Sequence, residues 1–66
     1  MTTTTVRYIV RLRVGPDHAY ESHIRFPRHS KPTRRQLEAA ARRDAVAAFG
    51  KQARGWKFMD ARRAGR

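Results

Sequence analysis

Between Val6 and Val14 apolar and polar positions alternate: Val6, Tyr8, Val10, Leu12 and Val14 fall on one side, and Arg7, Ile9, Arg11 and Arg13 on the other. That pattern predicts a strand with one buried face. Gly15, Pro16 and Asp17 supply turn chemistry. The alternation then resumes from Tyr20 to Phe26, with Tyr20, Ser22, Ile24 and Phe26 opposed to Glu21, His23 and Arg25. The two stretches predict a hairpin. A turn centred near Asp17 would set Tyr8 opposite Phe26, Val10 opposite Ile24 and Arg13 opposite Glu21, a register in which both strands turn their apolar residues the same way.

Pro27 and Pro32 bracket a short loop, after which the period changes. Thr33 followed by Gln36 is the spacing of a capping box, and Gly50 is a stop signal, so a helix is expected between them. On it Leu37, Ala41, Ala45, Ala48 and Phe49 gather into a narrow stripe, mostly alanine, which lets a helix lie close against a sheet. Glu38 and Arg42 form an i,i+4 pair expected on the opposite, solvated side.

Beyond Gly50, Trp56 and Phe58 alternate with Lys57 and Met59, which predicts a third strand crossing back beside the first. The competing pattern is a second helix with Ala53, Trp56, Met59 and Arg63 on one face, as in a helix-turn-helix, but Gly55 in its interior would cost about 1 kcal/mol. The expected fold is therefore α+β: a small β-β-α-β domain over residues 6–61, with a three-stranded antiparallel sheet and one helix packed on one face. Residues 1–5 and the basic residues 62–66 are expected to be flexible. Trp56 is expected to be buried against the helix, since a short chain has few other large side chains to build from.

The chain has 66 residues, and a domain of this size hides only ~60% of the surface its unfolded chain exposes. No cysteine is present to staple it or to bind a metal as thiolate. No apolar run approaches the ~20 residues of a membrane span, and Met1–Thr5 has neither the basic start nor the apolar stretch of a signal peptide. A cytoplasmic protein with no membrane partner is the expectation. Charge changes the picture most. Sixteen Lys and Arg stand against five Asp and Glu, a net charge of +11. Divided after Thr33, the halves carry six basic with two acidic residues and ten with three. So pervasive an excess points to a polyanionic partner. Codon bias would enrich Arg and Ala, yet it would not deplete Asp and Glu.

Catalysis finds little support. His18, His23 and His29 fall on a turn, a strand and a loop, at no metal-ligand spacing. Neither a phosphate-cradling glycine loop nor a nucleophile motif is present, so neither enzymatic activity nor a cofactor is expected. Asp44, at the edge of the helix stripe, calls for an ion pair with a strand arginine.

Two basic features are the candidate sites. Arg28, Lys31, Arg34 and Arg35 crowd a helix start that is already electropositive, an arrangement that like charge disfavours and a bound anion would relieve; the plain reading is that the four side chains splay into water. On the sheet, the face away from the helix would carry Arg7, Arg11, Arg13, Arg25 and Lys57, with Glu21 its only acid and Ile9 and Met59 between the charges. A solvated strand face accounts for arginines, but Glu or Thr would serve as well. The face lacks the aromatic rings on which unpaired bases stack, so phosphate contact on DNA is favoured over single-stranded RNA.

The leading reading is a small nucleic-acid-binding module that contacts the phosphate backbone with low sequence specificity. The alternative is an inhibitor or adaptor that lays the same surface into an acidic groove, or one that normally holds nucleic acid, on a host protein machine such as RNA polymerase or a CRISPR effector. The expected layout resembles that of some small phage-encoded inhibitors of host RNA polymerase, in architecture alone. A ribonucleoprotein component fits the same electrostatics.

Overall fold

The computed structural model describes residues 4–64. Its elements are β1 (Thr5–Gly15), β2 (His18–Pro27), α1 (Arg34–Phe49), a 3-10 turn (Lys51–Gly55) and β3 (Lys57–Arg63). The sheet is antiparallel in the order β2-β1-β3, with α1 on one face: the expected small α+β domain. The third strand forms beside β1, and the helical alternative survives only as the short turn before it. Thr5 already belongs to β1, and Arg62 and Arg63, expected in the tail, close β3. The rest of the expected terminal segments, residues 1–3 and 65–66, lie outside the described residues. No helix among the described residues is long and apolar enough to cross a membrane.

The hairpin register differs from the expected one by two residues. Pro16 and Asp17 alone make the turn, so Tyr8 meets Ile24, Val10 meets Ser22 and Arg11, not Arg13, meets Glu21. A shift by two preserves the face of every side chain. A bulge between Arg13 and Gly15 does not: the ladder passes from Arg13↔Ala19 to Gly15↔His18, and Val14 is left over. Val14, expected on the buried face, is therefore exposed.

Thr33 caps α1 as its spacing predicts. Its Oγ1 accepts from the Gln36 N–H at 3.2 Å, and its own N–H donates to Gln36 Oε1 at 2.8 Å. Gly50 ends the helix at φ 90°, a conformation open to glycine, and its N–H donates to the Val46 carbonyl. Of the expected stripe, Leu37, Ala41 and Ala45 are buried, while Ala48 and Phe49 are exposed, Phe49 meeting the sheet only at its rim through an edge contact with the Tyr20 ring. Ala53 of the 3-10 turn is fully buried in their place.

The core is thin, as a chain this short requires. Val10 and Leu12 of β1 pack with Leu37, Ala41, Ala45 and Ala53, rimmed by half-buried Tyr8, Tyr20, Ile24, Phe26, Phe58 and Trp56. Trp56 is only partly buried, in mutual ring contact with Tyr20 and Phe49. The Glu38–Arg42 pair is not on the solvent side. Arg42 donates to Glu38 at 3.1 Å and to the Trp56 carbonyl at 2.8 Å, clamping α1 to the start of β3. Among the described residues Asp44 makes no arginine pair: it accepts from Tyr20 and from Ser22, whose side chain is fully buried.

Candidate nucleic-acid interface

Because β1 is central, the face of the sheet away from α1 reads as four cross-strand rows. Arg7 stands opposite Arg25. Ile9 stands between His23 and Arg62, Arg11 between Glu21 and Asp60, and Arg13 between Ala19 and Lys57. Ile9, expected among solvated charges, is only 8% exposed. Its neighbours on the face are those long polar side chains, whose aliphatic stems can shield it while their heads stay in water.

The expected stripe of cations is interrupted. Arg11 donates to both oxygens of Asp60, the shortest bond 2.6 Å, and the pair is half exposed. The bond from Arg11 holds the Asp60 carboxyl below its ordinary range, Arg62 adding a smaller pull, and Asp60 in turn raises the Arg11 guanidinium. Arg11 is thus flanked by acid on both sides and is withdrawn from the cationic surface. Arg13 is partly withdrawn too, its guanidinium donating to the turn carbonyls of Gly15 and Pro16 at 3.3 Å. Lys57 stands beside it.

Glu21 is therefore not the only acid on this face. The cause is a bulge in β3: the ladder passes from Arg11↔Asp60 to Leu12↔Phe58, which loops out Met59 and turns Asp60 and Arg62 onto the open face. Strict alternation from Phe58 would have put Asp60 on the helix side, away from Arg11. The opposite charges of Arg11 and Asp60 were the signal by which the bulge, and with it Arg62 as a further site residue, could have been read.

What remains is an acid-free end. Two ladder bonds define its geometry: the Arg28 N–H donates to the Thr4 carbonyl at 3.0 Å, and the Ala64 N–H to the Arg7 carbonyl at 2.8 Å. Even-numbered β1 residues therefore turn their backbone groups to β2 and odd-numbered ones to β3, so Arg7↔Arg25 is a non-hydrogen-bonded pair, the kind that brings side chains closest. Neither is ion-paired among the described residues. Arg28 leaves the end of β2 at this same edge, and Arg63, paired with Tyr8, adds charge on the helix side.

The helix start is less free than its sequence suggests. The Arg34 guanidinium lies 4.5 Å from the centre of the Phe58 ring, a cation–π contact that ties α1 to β3. The capping box uses the Gln36 N–H. Arg28, Lys31 and Arg35 are exposed with no side-chain partner among the described residues. The nine expected site residues thus separate into groups: Arg7, Arg25 and Arg28 at one end of the sheet, Arg13 and Lys57 at the hairpin end, Lys31 and Arg35 near the helix start, and Arg11 and Arg34 held by structural partners.

His23 lies 4.0 Å from Glu21 on the open face, and no cluster of three or more His, Asp or Glu able to hold a metal occurs among the described residues. Compared with protein-family models, curated proteins and solved structures, the chain matches none.

Proposed function

We propose that this protein is a small nucleic-acid-binding module that grips the phosphate backbone of a duplex, with low sequence specificity and no cofactor, through the acid-free end of its open sheet face. The observation that carries the reading is Arg7 opposite Arg25, with no acidic side chain of the described residues in their row. Like charges directly opposite destabilise a sheet. A phosphate between them turns that repulsion into two charge-assisted hydrogen bonds, Arg62 extends the footprint on the open face, and Arg28, just past β2, adds charge from the end of the sheet. Duplex is favoured over single strand because the aromatic rings at Tyr8, Tyr20, Phe26, Trp56 and Phe58 pack on the helix side, leaving no stacking platform among the open-face rows. Phosphate contacts position a protein without reading sequence, hence the low specificity.

The test is the salt dependence of binding to a generic duplex. If Arg7, Arg25, Arg28 and Arg62 each engage one phosphate, log affinity falls with log salt at a slope of about −3.6, from −0.9 per phosphate. Arg7→Glu with Arg25→Glu abolishes binding, and a duplex of scrambled sequence binds as well as the first. No binding at low salt overturns the reading and leaves an acidic protein groove as the partner those arginines fit.

A further inference from the structure

Beyond the nucleic-acid reading, we propose that the outer edge of β2 is a self-pairing surface on which two copies of this chain join antiparallel about His23, merging their sheets into one of six strands. β2 is an edge strand, bonded only to β1. Protein edges are normally blunted by bulges, prolines or twist. The opposite edge, β3, has such a device in its Met59 bulge, whereas β2 runs without irregularity from Ala19 to Phe26.

The ladder parity assigns the free groups. Since even-numbered β1 residues bond to β2, the even-numbered residues of β2 face inward, and the backbone N–H and C=O of Glu21, His23 and Arg25 point outward. Among the described residues nothing bonds this edge beyond the Ser30 N–H donating to the carbonyl of Pro27, where the strand ends.

The side chains match the same two-fold. With His23 opposite its own copy, Glu21 meets Arg25 of the other chain and Arg25 meets Glu21, two opposite-charge pairs on the open face. On the helix side Ser22 meets Ile24, and Tyr20 meets Phe26. An isologous contact needs this reciprocity, residue i on j and j on i, and here it falls on the register that also exchanges backbone bonds at His23, Glu21 and Arg25. Moving the axis to Ser22 would set Glu21 against His23 and Arg25 against Ala19, and moving it to Ile24 would set Arg25 against His23 and Glu21 against Pro27, so neither joins Glu21 to Arg25. Moving it two residues, to Glu21, would set Glu21 against itself and leave Arg25 opposite Asp17 of the turn, beyond the end of the strand. The occupant is therefore a second copy and the register is the one centred on His23. In the dimer each Arg25 has an acid opposite it, so the pairing competes with a phosphate at Arg25 and leaves the open-face grip to Arg7 and Arg62 of each copy.

Sedimentation equilibrium and amide exchange on the full chain, freed of nucleic acid, test the proposal. The expected result is a concentration-dependent dimer in which the His23 amide exchanges slowly at high concentration and freely on dilution. Glu21→Arg and Arg25→Glu, each checked by circular dichroism for an intact fold, weaken association about tenfold or more by setting like charges face to face. The double variant Glu21→Arg with Arg25→Glu restores it. His23→Pro, which deletes an outward N–H at an edge position where proline is tolerated, also gives monomer. A protein that stays monomeric at millimolar concentration, or a dimer indifferent to both charge reversals, overturns it.

Discussion

The Tyr20 hydroxyl and the Ser22 hydroxyl donate to the same oxygen of Asp44, at 2.8 and 2.7 Å, so a single helix carboxylate anchors α1 to β2. The two sides of this contact are unequal. Asp44→Ala leaves the fully buried Ser22 hydroxyl without its acceptor and costs about 1–3 kcal/mol. Ser22→Ala costs less, because the exposed carboxylate can return to water. Urea denaturation of the two variants checks the order.

The same contact sets an alkaline limit. Burial, and then the bond to Asp44, raise the Tyr20 phenol above its ordinary value of 10. The folded state thus holds this proton more tightly than the unfolded chain. The contribution is complete below pH 10 and is lost as pH rises through the folded-state value. Following tyrosinate absorbance in the wild type and in Asp44→Ala should show one phenol titrating late, and less late in the variant, with part of the delay remaining because burial is the larger cause.

Arg11 and Asp60 make a converse prediction about binding. Since Arg11 is already neutralised by Asp60, Arg11→Ala should weaken duplex binding far less than Arg7→Ala, while Asp60→Asn, which releases Arg11, should strengthen it. In the free protein the Asp60 carboxyl titrates below 3.8 and returns toward it in Arg11→Ala, measurable by carboxyl NMR. Its small contribution to stability is present above the ordinary value and disappears as pH falls through the depressed one.

The two arginines opening α1 should separate. Arg35→Glu suits the first helical turn and leaves stability unchanged or raised by a few tenths of a kcal/mol. Arg34→Glu gains the same and loses the stack on Phe58, about 0.5–1 kcal/mol at an exposed site, so its melting temperature falls slightly. Equal behaviour of the two would remove the structural role of Arg34.

Of the ring cluster, Trp56→Ala should cost about 3 kcal/mol, the lower end for large aromatics because the side chain is only partly buried, and Phe49→Ala, 46% exposed, about 1 kcal/mol. Chemical denaturation of both variants distinguishes core from rim.

Local chemistry alone determined the β-β-α-β order, the faces of Val10 and Leu12, the Thr33–Gln36 box and the stop at Gly50, because alternation, helical spacing and caps act between residues a few positions apart. The cations of the open face were legible for the same reason. Their grouping was not. Whether Arg11 is free or paired, whether Arg7 confronts Arg25, and whether Arg62 joins them depend on the two-residue hairpin turn and on the loop-out of Met59. Bulges are favoured by contacts between strands distant in sequence: here Asp60 reaching Arg11, 49 positions away, while Phe58 stays against the helix. Asp44 shows the same division. Its place at the edge of the stripe was visible along the chain, but its choice of two hydroxyls over an arginine followed from which β2 side chains the folded sheet brings beneath α1.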